Sequence, residues 1–164
     1  RFYEVKSSFA DDGELNGIDT THRTVFAGVS YQYQHALFQV AANALKDVGG
    51  ESDGTEANLT VSRGFNWGDF PIAPSLGLVW QDGRLVEHFY GVADDETAPG
   101  RPAYGEHSSL NYQAALTGIW TPGKHWHLLA VVKEDYLGEG ITDSPIIDER
   151  SLTSVAVGAV FYFW

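Results

Sequence analysis

Eight segments of the chain alternate between apolar and polar side chains, and this period of two constrains the fold more than any other feature. In the clearest segment, residues 24–34, one face carries Val25, Ala27, Val29, Tyr31 and Tyr33. Such alternation, enriched in Val, Thr and aromatic residues, is typical of β-strands. The same pattern predicts strands over residues 2–9, 37–47, 55–65, 71–81, 109–120, 125–137 and 151–164. No segment shows a convincing 3.6-residue period, so we predict an all-β fold.

The connections between these strands alternate between short turns and long polar loops. Short turns are predicted near residues 34–36, 66–69 and 121–124. Long loops are predicted over residues 10–23, 48–54, 82–108 and 138–150, which contain or border most of the 22 acidic residues. This alternation places every turn at one end of the sheet and every loop at the other. It predicts a transmembrane antiparallel up-and-down β-barrel of the bacterial outer membrane, with periplasmic turns and extracellular loops.

The last predicted strand is an uncharged run that ends on Trp164, with Tyr162 and Val160 on the same face. In a soluble domain such a strand would expose an aggregation-prone edge, whereas a closed membrane barrel has no free edge. Outer-membrane barrels typically end on an aromatic residue, so we expect this strand to engage the barrel-assembly machinery. Further aromatic residues lie at strand ends, as in interfacial girdles. They are Phe38, Phe65, Trp67, Trp120 and Trp126 at the turn side, and Trp80 and Tyr112 at the loop side.

A soluble eight-stranded barrel is the alternative interpretation, because it also alternates but directs its apolar face inward. Strands of about ten residues, against a usual five or six, favour the membrane interpretation. The apolar face is nearly free of charge and the other face is rich in Gln, Asn, Ser, Thr and Gly. Lipid contact requires such an uncharged face, since a charge in the bilayer is costly.

Composition excludes several classes of function. The net charge of −12 argues against nucleic-acid binding, which needs a basic surface. Cysteine is absent, which excludes disulfides, a thiol nucleophile and cysteine-based metal sites. No stretch approaches the roughly 18 apolar residues of a membrane helix. The 164 residues predict a single barrel domain over residues 1–164, and we interpret the start at Arg1 as that of a mature or truncated form.

Several short stretches resemble one family of outer-membrane proteins. The most specific is Asp-Ser-Pro-Ile-Ile-Asp at residues 143–148, in the last long loop. The others are Leu-Asn-Gly-Ile-Asp at 15–19, Ala-Pro-Ser-Leu-Gly-Leu-Val-Trp at 73–80, Phe-Tyr-Gly-Val at 89–92 and Gly-Arg-Pro-Ala-Tyr at 100–104. Together they resemble the MipA/OmpV family, also called MltA-interacting proteins. Members of that family are longer, so the chain is similar to their C-terminal part, and the parent barrel is expected to have ten to twelve strands.

The resemblance implies a non-enzymatic protein of the bacterial outer membrane. Its namesake is viewed as a scaffold that joins a murein-degrading lytic transglycosylase to a penicillin-binding protein that synthesises murein. Other members are described as adhesins, immunogenic surface proteins or porin-like proteins. A small channel or adhesin is therefore the alternative function, and a lipid-modifying enzyme is a less favoured one. The expected surroundings are outer-membrane lipid and lipopolysaccharide.

Three groups of side chains have chemistry that a catalytic or metal site would need. His125 and His127 are spaced for one strand face, but a third metal ligand is not identifiable, and an interfacial pair is favoured. His107-Ser108-Ser109 resembles the His-Xaa-Ser arrangement of a lipid A deacylase, but without an evident orienting acid. Acidic runs at 11–14 (Asp-Asp-Gly-Glu) and 94–96 (Asp-Asp-Glu) lack EF-hand spacing. We expect solvated loops there, with a weak divalent-cation site as the alternative.

The remaining motifs predict structure rather than chemistry. Residues 49–54, Gly-Gly-Glu-Ser-Asp-Gly, are expected to form a loop and not a phosphate cradle. Pro145 is expected to fix the shape of the last loop, because proline restricts both itself and Ser144. The charged residues expected on the inner face, Glu4, Lys6, Lys133 and Asp135, are predicted to pair inside the barrel or to line a narrow pore. The sequence thus assigns no catalytic, cofactor-binding or metal-binding residue.

Overall fold

The alternating segments of the sequence form the strands of one antiparallel sheet. The structure is a computed structural model that describes residues 24–68, 70–105 and 107–163. Its strands are β1 (Phe26–Gln34), β2 (Gln39–Asp47), β3 (Thr55–Ser62), β4 (Phe65–Trp67), β5 (Phe70–Gln81), β6 (Ser109–Trp120), β7 (Trp126–Tyr136) and β8 (Ser151–Phe161). The all-β up-and-down fold predicted from the sequence is confirmed. The predicted strand over residues 2–9 lies outside the described residues.

Neighbouring strands follow chain order, from β1 at one end of the sheet to β8 at the other. The short strand β4 pairs with β5 below β3, so that β3 and β4 act as one strand interrupted after Ser62. Arg63 in the interruption still donates its backbone N–H to the carbonyl of Pro74 at 3.1 Å. Among the described residues, no pairing joins β1 to β8, so this part of the chain forms an open sheet.

The outer face of the sheet is apolar and exposed. Strand register aligns Leu78 with Tyr112, and Tyr112 with Tyr136, across three strands. Val157 and Val155 of β8 on the same face are 79% and 68% exposed. Such side chains are stable where lipid rather than water is the solvent, which is what the membrane interpretation predicts.

The inner face of the sheet carries hydrogen-bonded polar side chains. The Ser30 hydroxyl donates to Asn43 Oδ1 at 2.6 Å, and Asn43 Nδ2 donates to Asn58 Oδ1 at 2.5 Å. These three residues are register partners on β1, β2 and β3. These amides and this hydroxyl therefore satisfy one another across three strands of the polar face.

The long loops contain short helices, which the sequence pattern did not reveal. The loop after β5 forms α1 (Gly83–Tyr90) and a 3-10 helix (Asp94–Glu96), and the loop after β7 forms α2 (Glu139–Thr142). The carboxylate of Asp82 caps α1 by accepting the backbone N–H of Leu85 at 3.0 Å, as N-cap residues do. Among the described residues, no helix is both long and apolar enough to span a membrane.

The hydrophobic core lies at the loop end of the sheet. Leu85 and Val86 of α1 and Ile141 of α2 are fully buried, and Phe89 and Tyr90 are nearly so. Half-buried side chains pack around them, namely Phe26, Leu137 and Ile147. The two loops thus fold toward each other over the strand ends.

The turn end of the sheet is aromatic and exposed. Trp126 and Phe161 meet edge-to-face with ring centroids 4.8 Å apart, and Phe70 lies 6.4 Å from Trp120. These rings are located where the sequence predicted one interfacial girdle. Trp164, which the sequence placed in the same girdle, lies outside the described residues.

Candidate functional site

Two long loops meet in a folded structure that we call the loop-end cap: α1, α2, residues 91–105 and residues 143–147. The buried hydroxyl of Ser144 donates to the backbone carbonyl of Tyr90 at 2.6 Å. The hydroxyl of Tyr104 donates to the carbonyl of Gly140 at 3.0 Å. Val92 and Tyr104 exchange two backbone hydrogen bonds of 2.9 Å, which close the loop between β5 and β6 on itself. The cap is therefore joined both within and between loops.

Three stretches that resemble the family converge in this cap. Tyr90 belongs to residues 89–92, Tyr104 to residues 100–104, and Ser144 to the Asp-Ser-Pro-Ile-Ile-Asp stretch. The expectation that Ser144 and Pro145 fix the shape of the last loop agrees with this bond, because Ser144 anchors that loop to the end of α1. Residues 15–19 lie outside the described residues.

The cap packs against the sheet through close backbone contacts. A Cβ atom on Gly140 would lie 2.1 Å from the carbonyl oxygen of Ser108. A Cβ atom on Gly54 would lie 2.6 Å from the Cβ of Leu85. Both distances are far below van der Waals contact, so the approach of α2 to β6 and of α1 to the β2–β3 loop depends on glycine.

A buried polar network lies directly under the cap. Asn111 Oδ1 accepts hydrogen bonds from the Ser109 hydroxyl at 2.9 Å and from the backbone N–H of Gly138 at 2.8 Å. Asn111 Nδ2 donates to Gln81 Oε1, and Gln81 Nε2 donates to Glu56 Oε2, each at 3.2 Å. These side chains are at most 7% exposed. The network was not predicted, because Gln81 and Asn111 lie on strands separated by a long loop; the common inner face of its members was the only signal.

Burial and charge keep the tyrosines of the cap protonated. Burial, together with the nearby carboxylates of Glu56 and Asp135, raises the pKa of Tyr90 to about 12. Partial burial and the carboxylate of Asp143 raise the pKa of Tyr104. Both hydroxyls therefore remain neutral hydrogen-bond donors at ordinary pH.

The predicted internal charge pair is partly confirmed. The ammonium of Lys133 lies 2.5 Å from the Asp135 carboxylate on β7. Glu4 and Lys6, which the sequence placed with them, lie outside the described residues. The pair therefore balances charge on the inner face near the cap.

His107 and Ser109 have separate partners. The Nδ1 of His107 lies 3.1 Å from the carbonyl of Gly105, and its ring stacks on Tyr104 with centroids 4.8 Å apart. Ser109 donates its hydroxyl to Asn111 instead. Within the part of the chain that the structure describes, the Ser109 hydroxyl is thus bonded to an amide and not to His107, so the geometry does not support a deacylase dyad of these two residues.

The two histidines at the turn end also have separate partners. The Nδ1 of His125 lies 2.9 Å from the carbonyl of Tyr162, and the Nδ1 of His127 lies 3.1 Å from the Thr121 hydroxyl. Within the described ranges, no group of three His, Cys, Asp or Glu side chains is arranged to hold a metal ion. These histidines instead join the β6–β7 turn and the end of β8.

The acidic and glycine-rich loops hold their own backbone. Asp94–Glu96 form the 3-10 helix, and Glu96 Oε2 accepts the backbone N–H of Ala93 at 2.9 Å. In the loop at 49–54, the N–H groups of Gly49, Ser52 and Asp53 donate to the Asp47 carboxylate at 2.7–3.0 Å. That loop binds an internal carboxylate, so the prediction that it is not a phosphate cradle agrees with its geometry. The acidic run at 11–14 lies outside the described residues.

The apolar outer face, polar inner face, aromatic turn end and folded loop end together define the class of outer-membrane β-barrel proteins. A family model described as "MltA-interacting protein MipA" matches residues 2–163, and the chain belongs to this family. The family suggested by residues 143–148 is thereby confirmed.

Three relatives are outer-membrane proteins by name or by family. The chain is 28% identical over 154 residues to "Putative outer membrane protein YiaT" of Escherichia coli K12, covering 93% of the chain and 63% of the relative. It is 23% identical over 167 residues to the "MltA-interacting protein" of the same strain, covering 99% of the chain and 65% of the relative. It is 21% identical over 149 residues to "Outer membrane protein OmpV" of Vibrio cholerae, covering 91% and 58%. No solved structure matches the chain.

These relatives are named as outer-membrane or interacting proteins, and the outer-membrane location is shared by the chain. The chain spans 63% to 65% of the length of the first two proteins.

Proposed function

We propose that the chain is a single barrel domain that acts as a non-enzymatic scaffold for murein-processing enzymes in the outer membrane. The observation that carries this proposal is that its chemically capable side chains hold the fold together. Ser109 is bonded to Asn111, Ser144 to the Tyr90 carbonyl, and His125 to the Tyr162 carbonyl. Side chains used in this way support a structural role rather than a catalytic one.

The partner class is inferred from a relative. A protein 23% identical to the chain is named MltA-interacting protein. By this likeness, the scaffold binds a lytic transglycosylase and, through the same assembly, a penicillin-binding protein. Both classes act on murein in the periplasm, and short turns of outer-membrane barrels face the periplasm. The turn end is therefore the surface that we assign to partner binding.

The loop-end cap supports a scaffold over a channel. Leu85 and Ile141 are fully buried where the two loops meet, and Gln81 and Asn111 fill the inner face beneath them. A conducting pore would require a water-filled path past these groups. The position of these groups at the loop end supports a barrel that presents its ends to partners.

Binding by the full-length protein tests the proposal. Purified protein immobilised in detergent is expected to retain a purified lytic transglycosylase. Lys124→Glu in the β6–β7 turn should weaken retention, whereas Arg150→Glu at the loop end should leave it unchanged. Failure of the native protein to retain either murein enzyme would contradict the scaffold.

Planar-bilayer recordings test the channel alternative. We expect the native protein to give no stable single-channel conductance. Stable single-channel conductance would favour a channel and overturn the closed-barrel argument. Its block by antibodies against the loops, added only from the extracellular side, would show that the current passes through the loop end.

A further inference from the structure

A groove crosses the outer face of the sheet between β3 and β7. It has a volume of about 730 Å³, within the range of ligand pockets. Ala114 and Pro74 form its floor, and Val61, Leu76 and Leu116 are among its apolar walls. The groove arises because Ala114 faces outward between larger neighbours: its register partners are Leu76 and Glu134.

The groove continues toward the loop end. A second depression of about 450 Å³ shares Val61, Leu76 and Ala114 with the first and extends to Tyr112 and Tyr136. The two depressions together form a groove with a mostly apolar lining on the outer face. This shape fits an extended hydrocarbon chain better than a compact ligand.

A cation lies at the turn end of the groove. Arg63 lines it, and its guanidinium carbon lies 4.8 Å from the centroid of the Phe65 ring. Phe65 follows Arg63 toward the turn, so the guanidinium is directed toward the turn-end interface. Arginines on membrane proteins extend in this way to reach the level of lipid headgroups.

An acid lies at the β7 side of the groove, level in register with Ala114. Glu134 accepts a hydrogen bond from the Thr153 hydroxyl on β8, on the flank opposite its other register partner, Ala114. The carboxylate is therefore turned away from the groove floor, which leaves the aliphatic part of the side chain to line the groove. The groove is therefore lined by a cation at Arg63 and by the aliphatic part of Glu134.

We propose that the groove binds one phospholipid of the periplasmic leaflet, with its phosphate at Arg63 and an acyl chain along Leu76 and Ala114. The short turns face the periplasm, where the leaflet consists of phospholipid. Charge complementarity places the phosphate, because the guanidinium of Arg63 attracts it at the turn end of the groove. A second copy is a poorer occupant, because parallel barrels related by a membrane-normal axis bring together residues of equal depth. Glu134 is aligned through Ala114 and Leu76 with Val61, two residues nearer the loop end than Arg63, so the two charges would not pair.

Native mass spectrometry of the full-length protein, released from bilayers containing phosphatidylglycerol, tests the groove. One retained phosphatidylglycerol per chain is expected. Ala114→Leu fills the floor and should abolish retention. Ala44→Leu, an equal change on the outer face of β2 away from the groove, should not. Equal retention by the two variants would overturn the proposal. A heat-modifiable gel shift checks that both variants are folded.

The headgroup contact has a separate test. Arg63→Gln should lower phosphatidylglycerol retention about tenfold, because the loss of one charge-assisted hydrogen bond weakens binding by about that factor. Arg84→Gln, an exposed cation on α1, should leave retention unchanged. Equal loss in both variants would contradict a specific phosphate contact. A lipid-free dimer that Ala114→Leu converts to monomer would identify a second copy as the occupant and overturn the proposal.

Discussion

The loop end and the turn end of the sheet treat apolar side chains in opposite ways. At the loop end Leu85 and Ile141 are fully buried in the cap, whereas at the turn end Trp67 is 76% exposed and Phe163 84% exposed. The difference follows from the solvent. Extracellular loops meet water, which drives apolar side chains together, while turn-end aromatics lie at the membrane interface, where exposure is favourable. A single chain therefore contains a water-driven core and a lipid-adapted rim.

This comparison separates two kinds of stability. The cap depends on packing and buried hydrogen bonds between loops, so local substitutions should open it while the sheet remains intact. The rim depends on pairwise aromatic contacts and on the membrane, so single substitutions there should have smaller effects.

The largest effect is expected for Leu85→Ala. Removing a fully buried leucine leaves a cavity and should lower the free energy of cap opening by about 2–5 kcal/mol. Amide hydrogen exchange of α1 and α2 in detergent micelles measures this change. Leu59→Ala on the outer face, where the side chain is 42% exposed, is the matched control and should leave cap exchange unaltered. Similar acceleration by both variants would contradict a separate water-driven core.

Gly140→Val should be the next most damaging change. The added side chain meets the Ser108 backbone, which cannot move aside, and overpacking of this kind costs about 1–3 kcal/mol or more. Amide hydrogen exchange in α2 should accelerate, and the distribution of distances between spin labels on α2 and β6 should broaden. Gly158→Val on β8, where a Cβ meets nothing within 4 Å, is the control. Unchanged α2 protection in Gly140→Val would show that the close approach is dispensable.

Ser144→Ala should have a moderate effect. It removes the donor to the buried Tyr90 carbonyl, and leaving a buried acceptor unsatisfied costs about 1–3 kcal/mol. Exchange should accelerate at the end of α1 and in residues 143–147 together, because the bond couples them. Acceleration in only one of the two segments would refute that coupling.

The smallest effect is expected at the rim. A double-mutant cycle of Trp126→Ala and Phe161→Ala should give a coupling free energy of about 0.5–1.5 kcal/mol, as edge-to-face pairs do. Urea unfolding in micelles supplies the four stabilities. A coupling as large as the Leu85→Ala effect would erase the proposed difference between rim and cap.

The strands were predictable because period two records which face each residue occupies. β5, predicted over 71–81, is observed as Phe70–Gln81, and β6 is identical to its prediction. Between strands joined by short turns, the alternation and the turn are enough to align the two strands. The faces were also correct, since Leu76 and Tyr112 are exposed to the outside and Gln81 and Asn111 are buried.

The cap was not predictable from period alone. The apolar residues of α1, Leu85, Val86, Phe89 and Tyr90, cover barely two helical turns, which is shorter than the window that reveals a helical period. Asp82 as N-cap was a readable signal that was missed. The bonds of Ser144 to Tyr90 and of Tyr104 to Gly140 join residues 54 and 36 positions apart. Such contacts depend on how two loops fold in space, which local pattern does not encode.

The Val92–Tyr104 bridge has a practical consequence for surface display. It closes the loop between β5 and β6 below its tip, and the bridge between Ala98 and Arg101, with Gly100 at φ 88°, lies nearer that tip. A foreign peptide inserted at this tip adds little closure entropy, because that cost grows only logarithmically with length. The insert would be carried on the cell exterior while the helices beneath it keep their packing. The same peptide placed directly after Tyr104 would lie beside the bond between the Tyr104 hydroxyl and the Gly140 carbonyl and would disturb that anchor of α2.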